Sequence, residues 1–166
     1  MEEAGLTNII TEYVIHNKEQ LYRLAFSYVK NQDDALEVMH ESITKAFSKK
    51  NTLKTPEYLK TWFYRIIVNT AMDMLRKKKR VVVSDHETLS LYEAGIPDQY
   101  TDMDLQKALN NLPIQYRSIV VLRYFEDLEI KEIAEILNVN MNTVKTRLYK
   151  SLKMLRIQID DERKGE

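Results

Sequence analysis

The chain has 166 residues, room for one domain or two small ones, with only three glycines and three prolines to build tight hairpins, so an all-α fold is expected. Hydrophobic residues at 44% and charged residues at 30% describe a globular chain rather than a disordered one, and the absence of cysteine excludes a disulfide framework, a thiolate metal site and a cysteine nucleophile. Lys plus Arg equals Asp plus Glu at 25 each, so total charge names no partner.

The charge distribution says more. Residues 1–80 carry 14 basic and 10 acidic side chains, 81–104 carry none and 6, and 105–166 carry 11 and 9. Two mildly basic blocks flank an acidic connector. The N-terminus, MEEAGLTNII, is acidic where a secretory signal is basic, and no apolar run approaches the roughly 20 residues of a membrane span. The expectation is a cytoplasmic chain that reaches a membrane only through a partner.

In chain order, Leu21, Leu24, Ala25, Tyr28 and Val29 follow the spacing of one buried helical face and predict a helix from Asn8 to Lys30. Asp33 or Asp34 can cap a second helix, with Leu36, Met39, Ile43 and Phe47 inward and lysines in its last turn. Residues Asn51 to Thr55 form a polar loop before Pro56. Leu59, Trp62, Phe63, Ile66, Ile67, Thr70, Ala71 and Met74 trace a third helix that runs into the basic cluster Arg76 to Arg80.

Past Arg80 the periodicity dissolves. A short strand over Arg80 to Val83 is one reading, and the stretch to Asp104 reads as a flexible acidic linker with Gly95 and Pro97. Leu105, Ala108, Leu109 and Leu112 then begin a second unit. A helix starts at Pro113, continues through Tyr116, Ile119, Val120, Arg123 and Tyr124 and ends at Glu126-Asp127. Two more helices follow, one with Ile130, Ile133, Ala134 and Leu137 inward, the other from Asn142 to about Ile157 with Val144, Leu148, Leu152 and Leu155 inward.

The segment from Ile130 to Leu148 has the layout of a helix-turn-helix. Ala134 is small where two helices cross, Asn138 holds the turn position that favours a left-handed backbone, and Val139 and Val144 lock the second helix onto the first. Asn142 or Thr143 can cap that second helix and leave its early amides facing a phosphate. Lys145, Thr146, Tyr149, Lys150 and Lys153 lie away from the apolar stripe. Residues 140–157 hold five basic side chains and no acid. An outward lysine face alone is an ordinary solvated surface; joined to this turn chemistry it points to a major groove.

In the first block Tyr58, Trp62, Phe63 and Tyr64 adjoin the polar loop and lead to the basic cluster. Rings beside cations suit unstacked single-stranded bases, although aromatic stripes at helical spacing also build cores. The second helix is expected to carry an exposed acidic set, Asp33, Asp34, Glu37 and Glu41, with His40 among them, which suits a protein partner. His16, His40 and His86 are scattered, so no metal site is expected, and the absence of a phosphate-cradling glycine loop or activated nucleophile leaves no expected cofactor or catalytic residue.

Four stretches carry a resemblance: Tyr22 to Phe26 (YRLAF), Asp34 to Phe47 (DALEVMHESITKAF), Thr61 to Ala71 (TWFYRIIVNTA) and the helix-turn-helix. Together they resemble the extracytoplasmic-function sigma factors of the sigma-70 family, and within it the sigma V branch. The resemblance implies that residues 1–80 form sigma domain 2, that 81–104 are a linker and that 105–166 form sigma domain 4. Domain 2 would bind core RNA polymerase through the helix of Asp34, Glu37, His40 and Glu41, and would recognise and melt the minus 10 element. There Tyr58, Trp62, Asn69, Arg76 and Lys77 would face DNA, Asn69 holding a flipped base and the loop from Asn51 to Tyr58 setting which base is accepted.

Domain 4 would read the minus 35 element with Asn142, Thr143, Lys145, Thr146, Tyr149 and Lys150, and with Arg147 on phosphate. The family often has Gln where His40 stands, and Arg where Lys145 and Lys150 stand; Lys lacks the bidentate fork to guanine. The family also implies a membrane-anchored anti-sigma factor and a cell-envelope stress response. A linker this acidic would mimic nucleic acid inside a basic polymerase channel. A helix-turn-helix regulator that acts without polymerase is the alternative on the residues alone.

Overall fold

The computed structural model describes residues 3–84 and 103–164, and the chain falls into two compact units, Met1–Gly95 and Ile96–Glu166. Every regular element among the described residues is helical. The centre of the acidic connector, 85–102, lies outside the described residues, and with it the expected linker and its mimicry of nucleic acid.

In the first unit α1 spans Glu3–Val29, starting upstream of Asn8 because Leu6 and Ile10 extend its buried stripe. It stops where Lys30 turns left-handed (φ 62) and donates its N–H to Phe26 O at 2.8 Å. That reversal leaves Asn31 extended, and its Oδ1 accepts the Asp34 N–H at 2.8 Å. Asn31 therefore caps α2, Gln32–Ser48, in place of the expected Asp33 or Asp34, which sit in the first turn where carboxylates suit the dipole.

α2 buries Ala35, Val38, Met39, Ser42 and Ala46, so of the expected Leu36, Met39, Ile43 and Phe47 only Met39 is buried. Leu36 is 51% exposed, and Ile43 and Phe47 are half-buried. The helix packs against both α1 and α3, and the small Ala35, Ser42 and Ala46 let two neighbours approach it closely. At Leu36, Ile43 and Phe47 the expected stripe is one residue off the buried Ala35, Ser42 and Ala46.

Two 3-10 turns, Lys50–Thr52 and Pro56–Tyr58, flank Leu53, which is buried. Then α3 runs Leu59–Ser84. It buries Leu59, Phe63, Tyr64, Ile67, Val68, Thr70 and Ala71, while Trp62, Ile66 and Met74 are half-buried. Tyr13 of α1 meets Phe63 with ring centroids 5.7 Å apart. The suggested strand over Arg80 to Val83 is absent because α3 continues through it: valine disfavours a helix only slightly, and extending an existing helix needs no new nucleus.

The second unit comprises α4 (Met103–Asn111), α5 (Ile114–Val120), a π-helical turn (Val121–Phe125), α6 (Ile130–Leu137) and α7 (Met141–Lys164). Ala108, Leu109, Leu112, Val120 and Leu155 form a cluster joined by Tyr116, Met154 and Ile159. The π turn shifts the register, and Tyr124 is 55% exposed and Phe125 60%. Asp127 then turns left-handed (φ 54), and Leu128 donates its N–H to Leu122 O at 3.0 Å.

Candidate nucleic-acid interfaces

The helix-turn-helix is built as its residues dictate. Asn138 closes α6 at φ 56, ψ 48, its N–H bonding to Ala134 O, and Val139 N–H reaches the same carbonyl at 3.1 Å. Ala134 and Val144 are buried and Val139 half-buried. The cap of α7 is Asn140, not Asn142 or Thr143: its Oδ1 accepts the Thr143 N–H at 2.8 Å and the Thr143 hydroxyl at 2.9 Å. A cap must precede the first helical residue, here Met141, and only Asn140 does.

Along α7 the buried stripe is Val144, Ser151 and Leu155, with Leu148 half-buried. Leu152, expected inward, is 41% exposed. Ser151 takes the inner place because 144, 148, 151 and 155 are the i, i+4, i+7, i+11 positions, one step off Leu152. The Ser151 Oγ lies 2.6 Å from Arg147 O and 3.2 Å from Tyr116 O, so a small polar side chain lets α5 approach α7 without an orphaned hydroxyl.

The opposite face carries Asn142, Lys145, Thr146, Tyr149, Lys150 and Lys153, all exposed. Tyr149 is 71% exposed. Thr143 and Arg147 are half-buried at the edge of this face. It is a cationic face with one exposed ring and no acid, suited to base edges and phosphates.

In the first unit Trp62, Asn69 and Arg76 stand one heptad apart on α3 and share a side of the helix over about 21 Å. Asn69 and Lys77 are exposed, and Arg76 pairs with Asp73 at 2.9 Å. Tyr58 is 57% exposed at the foot of the helix. Trp62 is half-buried, and its Nε1–H donates to Thr52 Oγ1 at 2.9 Å. Thr52 and Asn140 both escaped sequence reading: a bond across ten residues leaves no periodic signal, and Asn140 lies just ahead of the expected start of its helix.

On α2, Glu37 and His40 are exposed, while Glu41 is half-buried and paired with Lys45 at 3.3 Å. Asp34 does not belong to an exposed acidic set: it accepts from Asn31 Nδ2 at 2.5 Å and is paired with Lys78 of α3. Burial pulls the Lys78 pKa below the usual lysine value, a pull that the adjoining carboxylate opposes. Between the helices lies a cleft of about 330 Å³, lined by Glu37, Glu41, Met74, Lys77 and Arg80 among others.

Two family models match the chain, sigma-70 region 2 over residues 13–81 and sigma-70 region 4 over residues 102–155. The RNA polymerase sigma factor SigV of Bacillus subtilis (strain 168) is 52% identical over 96% of this chain and 94% of its own length. The ECF RNA polymerase sigma factor SigW of the same strain is 30% identical, over 87% and 85%. The chain belongs to the extracytoplasmic-function group of the sigma-70 family.

As a sigma factor it directs RNA polymerase in transcription initiation, and its likeness lies with SigV, as the sequence blocks imply. Solved structures share its fold. RpoE in complex with the anti-sigma factor NepR from Bartonella quintana aligns with a TM-score of 0.76 at 22% identity, covering 90% of this chain and 96% of that one. CnrH in complex with the cytosolic domain of CnrY aligns at 0.70 and 18%, covering 96% and 92%. No helix among the described residues is long and apolar enough to cross a membrane.

Proposed function

We propose that this sigma factor docks on core RNA polymerase through the outer side of α2, with Glu37, His40 and Glu41 in contact and Asp34 shaping the surface from within. Tyr58, Trp62, Asn69, Arg76 and Lys77 serve the minus 10 element, where the strands are opened. Asn142, Thr143, Lys145, Thr146, Tyr149 and Lys150 read the minus 35 major groove, and Arg147 holds phosphate. The units 1–80 and 105–166 act as sigma domains 2 and 4.

The observation that carries this reading is the one-sided face of α7, where the exposed side is basic and the buried side is apolar or small. Stacking at the minus 10 element is supported by Tyr58, a ring left open beside cationic α3. The chain works as a specificity subunit rather than a catalyst, in the cytoplasm. Because a solved sigma factor of this fold, RpoE, is in complex with the anti-sigma factor NepR, this one is held by an inhibitor too, anchored in the membrane, and released under cell-envelope stress.

Run-off transcription with purified core polymerase on a genomic promoter library tests the proposal. Promoter-specific transcripts that appear only when chain and core enzyme are combined are expected. Tight, sequence-specific binding to promoter DNA by the chain alone, with transcription indifferent to it, would overturn the proposal.

A further inference from the structure

Trp62 is the only tryptophan in the chain, and its indole N–H is already committed. It donates to Thr52 Oγ1 at 2.9 Å, and the Thr52 hydroxyl donates to Lys49 O at 2.7 Å. On its other side the ring meets Phe63 edge-on, with centroids 6.2 Å apart and an interplanar angle of 69°. Phe63 is fully buried and touches Tyr13 of α1. The indole is thus braced by the core and bonded to the loop before α3.

That loop has further anchors. Lys50 pairs with Glu3 at 3.4 Å and donates to Thr7 Oγ1 at 3.3 Å, both on the first turns of α1. Leu53 is sunk into the unit at 5% exposure. What the anchors leave open is a row of exposed residues, Asn51, Lys54, Thr55, Pro56, Glu57 and Tyr58.

We propose that Trp62 is a positioning residue: through its bond to Thr52 it fixes the 50–58 loop, and so sets which unpaired base the loop accepts. The inference rests on the proposed reading of this loop as part of the minus 10 surface. Discrimination is a difference between two affinities, and a loop free to readjust lowers the penalty for the wrong base. A pinned loop keeps that penalty. Stacking falls to Tyr58, whose ring is open, while the half-buried Trp62 works from behind.

The test compares Thr52→Val, Thr52→Ser and Trp62→Phe in the full-length chain with core polymerase. Promoters differ only at the unpaired minus 10 base, and the readout is the ratio of preferred to altered promoter use. Thr52→Val and Trp62→Phe should each lower that ratio about fivefold, the factor that one neutral hydrogen bond is worth. The double variant should fall no further, and Thr52→Ser, which keeps the hydroxyl, should restore it.

Because Trp62 is the sole tryptophan, its fluorescence reads the bond directly in the free protein. Emission should shift in Thr52→Val and not in Thr52→Ser. An unshifted emission, an unchanged ratio, or an equal loss on every promoter overturns the inference. A wild-type chain without promoter preference on core polymerase would instead sink the proposed function, and the fluorescence result keeps the two failures apart.

Discussion

The carboxylate of Asp34, in the first turn of α2, is bound to the ammonium of Lys78, 44 residues later near the end of α3. Their side chains are 13% and 31% exposed, so the pair is largely withdrawn from solvent. It ties the end of α2 that the cap begins to the part of α3 that carries the basic cluster. Asp34→Ala should therefore lower stability by about 1–3 kcal/mol, the cost of leaving a charged partner unmatched. Urea unfolding of the full chain measures it; unchanged stability with weaker polymerase binding would assign Asp34 to docking alone.

Asn138 holds a left-handed backbone where α6 ends. A side chain without Asn's local hydrogen bonding costs roughly 1–2 kcal/mol there, so Asn138→Ala should destabilise by about that amount and Asn138→Gly should not. Thermal unfolding followed by circular dichroism separates the two.

Asn140 and Asn142 are both near the start of α7, yet only Asn140 bonds the Thr143 amide. Asn140→Ala should cost about 1 kcal/mol, the usual loss for a cap. Asn142→Ala should leave stability unchanged and act only on DNA recognition. A stability loss in Asn142→Ala would show that the cap is assigned to the wrong residue.

Ser151 is buried and Leu152 is 41% exposed. Ser151→Leu should force α5 from α7 and cost about 1–3 kcal/mol by overpacking. Leu152→Ser should change stability by less than about 0.5 kcal/mol, as surface exchanges do. Reversal of that order in chemical denaturation would refute the register.

Lys150 is exposed on the face opposite Val144, and Arg147 is at its edge. Lys150→Ala should weaken discrimination at one minus 35 position by about 1–3 kcal/mol. Arg147→Ala should weaken all sequences alike and lower the salt slope of binding by about one unit. Holoenzyme binding to promoter variants across a salt series distinguishes them, and equal promoter use by Lys150→Ala and wild type would remove Lys150 from the reading face.

Much of this protein was legible in the residues themselves: the helices, the left-handed turn at Asn138, the basic side of α7 and the four blocks that place it among the sigma factors. Those features are local, since helical period, turn chemistry and charge act within a few residues. Tertiary structure decided the rest. Which stripe of α2 turns inward depends on two neighbours pressing against it, and favours Ala35, Ser42 and Ala46 over larger side chains. The inner place of Ser151, the bond from Trp62 to Thr52 and the pair of Asp34 with Lys78 join residues through packing and chain reversal. Partners of that kind are chosen by proximity in space, which a one-dimensional pattern of hydrophobicity does not encode.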